Sequence, residues 1–223
     1  MMPAMTLQDL ALLGLAPPIG VLSRWGAGRL ATILPCGIDG VDGEVPQPPS
    51  LTLALPLAVG VAVWSVCALP EERAAAGCLL GWTLVVLAMV DGCRFILPDA
   101  LTLPLLGAGL LITAVAEPDR LSAGAAGAAA GYAALRLLGE GYRRLRGREG
   151  LGQGDAKLLA AAGAWVGWEG LGSVVLIASA LGLLWVLAAR NGDLAGADRP
   201  LPFGPFLCLG IWSVWTMGTL HGA

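Results

Sequence analysis

Residues 171–189 read LGSVVLIASALGLLWVLAA and contain no charged side chain. A run of about 20 apolar residues is what an α-helix needs to cross the hydrocarbon core of a bilayer. The preceding stretch, residues 152–168 (GQGDAKLLAAAGAWVGW), is also apolar except near its start, where Asp155 and Lys157 stand. This part of the chain therefore predicts membrane helices, the first of which begins with two charged residues.

The composition of the whole chain extends this interpretation. Hydrophobic residues make up 57% of the 223 residues and charged residues 13%, and the mean hydropathy is +0.76. Soluble domains usually contain about 25% charged residues. We therefore predict a single all-α integral membrane domain, a polytopic bundle of transmembrane helices that covers residues 1–223, and we exclude a soluble protein.

Eight membrane segments are predicted along the chain. They cover residues 7–22, 51–69, 74–90, 100–116, 121–138, 156–168, 171–189 and 201–220. The first segment is weak because Pro17 and Pro18 interrupt it, and residues 156–168 are fewer than a full crossing needs. Polar stretches at residues 25–50 and 139–155 are predicted to be loops, and the second of them leads into the sequence GQGD.

Basic residues set the predicted orientation, because Lys and Arg are retained on the cytoplasmic side of a membrane. With the N-terminus outside and each segment crossing, all 13 basic residues except Arg73 and Arg120 fall inside. The loops at 25–50 and 139–155 then face the cytoplasm. We interpret the basic run RRLRGR at 143–148 as a topology signal that contacts anionic membrane lipids, not as a nucleic-acid site.

Two acidic residues, Asp91 and Asp155, differ from the others in their predicted depth. Most acidic residues lie in loops, where water solvates them, whereas Asp91 ends one membrane segment and Asp155 begins another on the same cytoplasmic side. Two carboxyl groups a few Å apart titrate as a unit, so that one keeps its proton while the other is ionised. The ionised group can activate a water molecule and the neutral one can donate to a carbonyl oxygen. We predict that Asp91 and Asp155 form a catalytic pair for peptide hydrolysis.

The residues just before Asp155 support this use of its carboxylate. Gly152 and Gly154 give the backbone conformational freedom and allow another part of the chain to approach closely. The same pattern also fits a structural alternative, in which Asp155 only caps the N-terminus of the following helix.

Two basic residues are candidate modulators of the pair. Arg94 follows Asp91 by one helical turn and can form an ion pair with it. Lys157 can tune the charge of the pair or hold an anionic group of the substrate. It can equally extend to lipid phosphates, as lysines near helix ends do.

Three blocks of sequence occur in a characteristic order: DGCRFILPDALTLPLL at 91–106, GQGDAKLLAAAGAWVG at 152–167 and PLPFGPFLCLG at 200–210. Together they resemble the type IV prepilin leader peptidase family, the GxGD-type aspartic peptidases of bacterial inner membranes. The resemblance implies that Asp91 and Asp155 are the catalytic aspartates and that Asp99 is not catalytic. It also implies that the substrates are prepilins or pseudopilins, whose short basic leader is cut at the cytoplasmic face.

Residues 25–50 depart from the pattern of this family. Full-length members carry in this region an insert with two CxxC pairs, and they also methylate the new N-terminus with S-adenosylmethionine. Here Cys36 is the only cysteine of the region, and about four zinc ligands at suitable spacing cannot be assembled. We therefore expect a short form that works without a metal or other cofactor, in which N-methyltransferase activity is doubtful.

Other functions remain open at this point. The chain can be a small transporter or a scaffold of a type IV pilus or type II secretion apparatus, with the acidic residues serving as a proton site. It can also be a catalytically silent relative of the peptidases. Zinc-protease chemistry is excluded because His221 is the only histidine, so that no HExxH motif exists.

A reporter-fusion map tests the predicted topology. Alkaline phosphatase fused after Arg146 should be inactive and a fluorescent protein fused there should fluoresce, because the loop at 139–155 is predicted to face the cytoplasm. Fusions after Asp119 should give the opposite pattern. Phosphatase activity at Arg146 together with fluorescence at Asp119 would reverse the orientation proposed here.

Overall fold

The computed structural model describes residues 51–147, 152–189 and 201–221. Every regular element in these ranges is helical, which confirms the predicted all-α class. The helices are α1 (Leu51–Ala68), α2 (Glu71–Arg94), α3 (Asp99–Ala116), α4 (Leu121–Arg146), α5 (Gln153–Ala189) and α6 (Gly204–His221), with a 3-10 turn at Pro118–Arg120 before α4. The segment predicted at residues 7–22 and the loop predicted at residues 25–50 lie outside the described residues.

The chain divides into two compact units, one formed by Met1–Arg94 with Thr216–Ala223 and the other by Phe95–Trp215. The first unit contains α1 and α2. The second contains α3, α4, α5 and most of α6.

In the first unit, α1 and α2 form an antiparallel hairpin. The indole Nε1 of Trp82 on α2 donates a hydrogen bond of 3.0 Å to the carbonyl oxygen of Ala58 on α1. Nearer the turn, Gly77 lies so close to α1 that a Cβ atom there would be 2.9 Å from Ser65 Oγ. Pro70 occupies the turn, and its carbonyl oxygen accepts the first backbone hydrogen bonds of α2.

In the second unit, α4 packs antiparallel against the first half of α5 through a stripe of buried glycines. The stripe is formed by Gly124, Gly127 and Gly131. A Cβ atom at Gly127 would lie 2.7 Å from the carbonyl oxygen of Gly163 on α5. One at Gly131 would lie 2.5 Å from the carbonyl oxygen of Leu159. Because lipid tails are as apolar as side chains, membrane helices associate through close backbone packing of this kind.

Helix α3 packs against an adjacent side of the same part of α5, with a tryptophan between them. Trp165 on α5 is buried, and its Nε1 donates a hydrogen bond of 2.9 Å to the carbonyl oxygen of Leu105. Gly109 provides the space for the indole ring, since a Cβ atom there would be 2.6 Å from Trp165 Cδ1. Trp165 is therefore a packing residue between α3 and α5.

Helix α5 is broken at Gly167, where φ is 74° and ψ is 174°. Only glycine readily adopts this backbone conformation. Beyond the break the second half of α5 pairs with α6, where a Cβ atom at Gly210 would lie 2.7 Å from the carbonyl oxygen of Val174. The sequence predicted two separate segments at 156–168 and 171–189, and the structure joins them in one helical run with a break close to the predicted gap.

Four helices in the described residues are long and apolar enough to cross a membrane. They are Glu71–Arg94, Asp99–Ala116, Pro118–Arg146 with its leading 3-10 turn, and Gln153–Ala188. A shorter apolar helix covers Leu55–Ala68. The predicted count of eight segments is not confirmed, in part because two predicted segments belong to α5.

Residues 139–146, predicted as part of a loop, continue α4. Glu140 forms ion pairs with arginines three and four residues ahead, Arg143 at 2.7 Å and Arg144 at 2.9 Å. Gly147 then ends the helix in a left-handed conformation with φ 68°, and its N–H donates to the carbonyl oxygen of Arg143 at 2.8 Å. The polar composition that suggested a loop belongs to the charged end of a helix.

The glycine stripe generates a stability prediction. Gly127→Ala should lower the free energy of unfolding by about 1–3 kcal/mol, because the added methyl group has no room beside the backbone of α5. Gly141→Ala in the same helix is the matched control, since a Cβ atom at Gly141 meets nothing within 4 Å. That change should be neutral or stabilising by up to about 1 kcal/mol. Denaturant titration of both variants in detergent measures the difference, and equal stability of the two would contradict the packing described.

Candidate active site

The GQGD sequence forms the start of α5, and Asp155 lies in the first turn of that helix. The carboxylate of Asp155 folds back over the residue that precedes the helix. A Cβ atom on Gly152 would lie 3.1 Å from Asp155 Oδ2. The first glycine of the motif therefore leaves the space that the carboxylate occupies.

The second glycine of the motif serves a different contact. A Cβ atom on Gly154 would lie 2.8 Å from the Cβ atom of Leu97. Leu97 is buried and belongs to the short segment that precedes α3. The glycine thus allows this segment to pack directly on the first turn of α5, at the residue before Asp155.

Lys157 is held by a carboxylate of α3. Its Nζ donates hydrogen bonds of 2.6 and 2.7 Å to the two carboxylate oxygens of Asp99, the first residue of that helix. We had considered the aspartate pair, the substrate and lipid phosphates as partners for Lys157, and Asp99 was missed. A signal was available, since Asp99 begins α3 and Lys157 is the fifth residue of α5, and both helices start on the predicted cytoplasmic side.

A small polar cavity of about 140 Å³ lies beside the same turn, on the side that faces α4. Its polar walls come from the charged end of α4 and the start of α5: Arg136, Glu140, Arg143, Gly152 and Gln153. Residues 148–151, which connect the two helices, lie outside the described residues.

The start of α5 contacts its neighbours on two sides, one facing α4 and the other facing α3. Successive residues of an α-helix are rotated by about 100°, so Gln153 and Ala156 share the side that faces α4. Gly154 and Lys157 share the side that faces α3 and the segment before it. Asp155 lies on the third side of the helix. The local structure thus directs this carboxylate away from both packing surfaces.

The other predicted catalytic residue, Asp91, is buried near the end of α2, with 5% of its surface exposed. Asp91 and Asp155 belong to different compact units, and their pairing stays a prediction. Arg94 was the expected ion-pair partner of Asp91. In the described part of the chain, Arg94 Nε is buried without a hydrogen-bond partner, so this atom provides no support for that expectation.

The backbone changes direction immediately after Arg94. Phe95 has φ 55°, a left-handed conformation that is uncommon for a residue other than glycine. Such conformations persist where the surrounding structure imposes them, and they cluster at functional sites. Phe95 thus marks the point where the chain leaves the helix of Asp91 and turns toward Leu97 and α3.

Within residues 51–147, 152–189 and 201–221, no group of three or more His, Cys, Asp and Glu side chains could hold a metal ion. Cys36 and the rest of residues 25–50 are not among them.

Known proteins share the sequence that builds this site. Residues 78–187 match the model of the type IV leader peptidase family. The chain is 42% identical over 140 residues to a prepilin leader peptidase/N-methyltransferase of Aeromonas salmonicida (strain A449), an alignment that covers 61% of this chain and 47% of the relative. The chain belongs to the type IV leader peptidase family. Proteins of the same name from Burkholderia pseudomallei (strain K96243) and Pectobacterium carotovorum subsp. carotovorum are 43% identical over 150 residues and 38% identical over 175 residues.

These alignments cover only part of this chain and only part of each relative. The Burkholderia alignment covers 67% of this chain and 48% of the relative, and the Pectobacterium alignment covers 78% and 61%. The chain thus spans about half the length of the curated relatives it matches. No solved structure matches it. Its apolar helices and its membership of the type IV leader peptidase family together indicate a multi-pass membrane protein.

The contact at Gly154 generates a prediction that does not depend on activity. Gly154→Ala should lower the free energy of unfolding by about 1–3 kcal/mol, because the new methyl group meets Leu97. The same change should cost at least about 0.5 kcal/mol less in a Leu97→Gly background, because glycine lacks the Cβ atom that the new methyl group meets. Denaturant titration of the single and double variants measures this coupling.

Gly172→Ala, also in α5, is the control for helix propensity, since a Cβ atom at Gly172 meets nothing within 4 Å. Additive effects of Gly154→Ala and Leu97→Gly would show that the two residues do not touch.

Proposed function

We propose that this member of the type IV leader peptidase family is a membrane-embedded aspartic endopeptidase. Its substrates are type IV prepilins or pseudopilins, from which it removes the basic leader at the cytoplasmic face of the bacterial inner membrane. Asp91 and Asp155 activate the attacking water. The observation that carries this proposal is the match to relatives named prepilin leader peptidases, over a region that includes both aspartates.

The local structure around Asp155 leaves room for the proposed role of its carboxylate. The carboxylate has a space made for it by Gly152, and it lies on the one side of the turn that neither α3 nor α4 occupies. Leu97, which packs on the neighbouring Gly154, follows Asp91 by only six residues in the sequence.

The chemistry follows from two carboxyl groups that share one proton. The ionised carboxylate takes a proton from a water molecule as the water oxygen attacks the scissile carbonyl carbon. The protonated carboxyl donates its hydrogen to the carbonyl oxygen, and a tetrahedral intermediate forms. When the C–N bond breaks, a proton passes to the departing amine and the pair returns to its starting state.

Methyl transfer is not part of this proposal, although the relatives' name includes N-methyltransferase. Residues 25–50 contain a single cysteine, Cys36. Full-length members of the family are expected to carry two CxxC pairs in this region. The proposed activity requires no metal or other cofactor.

Co-expression with a prepilin tests the proposed function. Processing should occur with the wild type and fall by at least about 100-fold in Asp91→Ala and in Asp155→Ala, because each removes one half of the acid–base pair. Asp91→Asn and Asp155→Asn should be nearly as damaging, since an amide cannot relay the proton. The ratio of processed to unprocessed prepilin on immunoblots measures the effect.

Asp119→Asn is the matched control, because this exposed aspartate lies in the 3-10 turn before α4. It should process prepilin at the wild-type rate. The proposal would be contradicted if the Asp91→Ala and Asp155→Ala variants insert into the membrane and process prepilin normally. If transport or pilus assembly fails in the same variants, the protein acts as a transporter or scaffold.

A further inference from the structure

We infer that Asp99 and Lys157 are a positioning pair for the catalytic turn: their ion pair fixes the start of α5, and with it Asp155, against the start of α3. This inference rests on the proposed function, because it concerns the carboxylate that the proposed mechanism uses. Neither residue of the pair touches the reacting atoms in this role.

The geometry of the pair suits a connection between helices. Lys157 Nζ lies 2.6 Å from one carboxylate oxygen of Asp99 and 2.7 Å from the other, so the ammonium group is held at two points. The two residues are 58 positions apart in the sequence. By contrast, the ion pair of Glu117 with Arg120 links residues one helical turn apart and connects no separate elements.

Helix stability does not explain a lysine at this position. The N-terminal end of a helix carries a partial positive charge, so a cation in the first turn is unfavourable there. Asp99, in contrast, is a favourable first-turn residue of α3. Lys157 is the fifth residue of α5, just beyond the first turn, so the dipole of its own helix does not favour it, and Asp99 supplies the opposite charge.

The direction of the lysine side chain separates its role from that of Asp155. A separation of two residues rotates a side chain by about 200° around the helix axis, so Lys157 and Asp155 lie on opposite sides of α5. The ammonium group is directed to α3 while the carboxylate is directed elsewhere. Lys157 therefore acts on Asp155 through the position of the helix turn and not through contact.

The expected effect is larger on the rate than on the stability. The Lys157 side chain is 30% exposed and that of Asp99 is 55% exposed, and ion pairs at such exposure contribute little to the free energy of unfolding. Catalysis is more sensitive to position, because a displacement of about 1 Å in a reacting group can reduce the rate by about 100-fold. A pair with little stabilising value can thus have a large value for catalysis.

Steady-state cleavage of a prepilin peptide by the purified full chain in nanodiscs tests the inference. Asp99→Asn and Lys157→Met should each lower kcat by about 10- to 100-fold per folded enzyme, while KM changes less than about two-fold. The charge-reversed double variant Asp99→Lys/Lys157→Asp should recover most of the lost kcat. Arg120→Met, which removes an exposed ion pair elsewhere, is the matched control and should retain the wild-type kcat.

A second measurement does not depend on activity. Hydrogen exchange of the amides in residues 157–161, the first in α5 with intrahelical acceptors, should be faster in both single variants than in the wild type, and the charge-reversed variant should restore protection. Unchanged kcat and unchanged exchange in the single variants would overturn the inference. So would a loss of kcat in the single variants that charge reversal fails to restore.

The two proposals fail in different ways. If the wild type does not cleave the peptide, the proposed function fails, and exchange alone then decides whether the pair holds the turn. If the wild type cleaves and the single variants match it in both measurements, the proposed function stands and the positioning pair is rejected.

Discussion

The close contact between the backbones of α4 and the first half of α5 is the constraint on which the rest of the second unit depends. A Cβ atom at Gly163 would overlap the backbone of Gly127, so neither position tolerates a larger residue without separating the helices. The contact also sets their relative register, because it continues at Gly131 and Leu159. That register brings the charged end of α4 beside the first turn of α5, where the candidate site lies.

Around that first turn, each short-range contact has its own physical cause. Gly154 permits the approach of Leu97, and the pair of Asp99 with Lys157 holds α3 at the same level. The cavity lined by Arg136 and Gln153 separates the turn from the end of α4. A functional side chain held by rigid helices is more accurately placed than one on a mobile loop.

Most of the helices could be predicted from the sequence because apolar length is a local property. The segments expected at 51–69 and 100–116 differ by only one residue at one end from α1 and α3. The extension of α4 was missed because polar composition alone suggested a loop, whereas the spacing of Glu140 three and four residues before Arg143 and Arg144 is typical of a helix. The partner of Lys157 could not be predicted either, since it depends on which helix starts lie at the same level. The sequence indicated that the GQGD motif is important. It did not reveal that Gly152 leaves space for the carboxylate of Asp155 while Gly154 leaves space for Leu97, because these contacts depend on the three-dimensional structure.

The break at Gly167 has a consequence for the surrounding lipid. The first half of α5, from Gln153 to Val166, has about 14 residues and is therefore about 21 Å long at 1.5 Å per residue. A hydrocarbon layer of about 30 Å exceeds that length. Lipids beside this half-helix must thin toward it, or polar groups at its ends must lie below the headgroups. Either way, the first half of α5 matches a thinner hydrocarbon layer than a full crossing helix does.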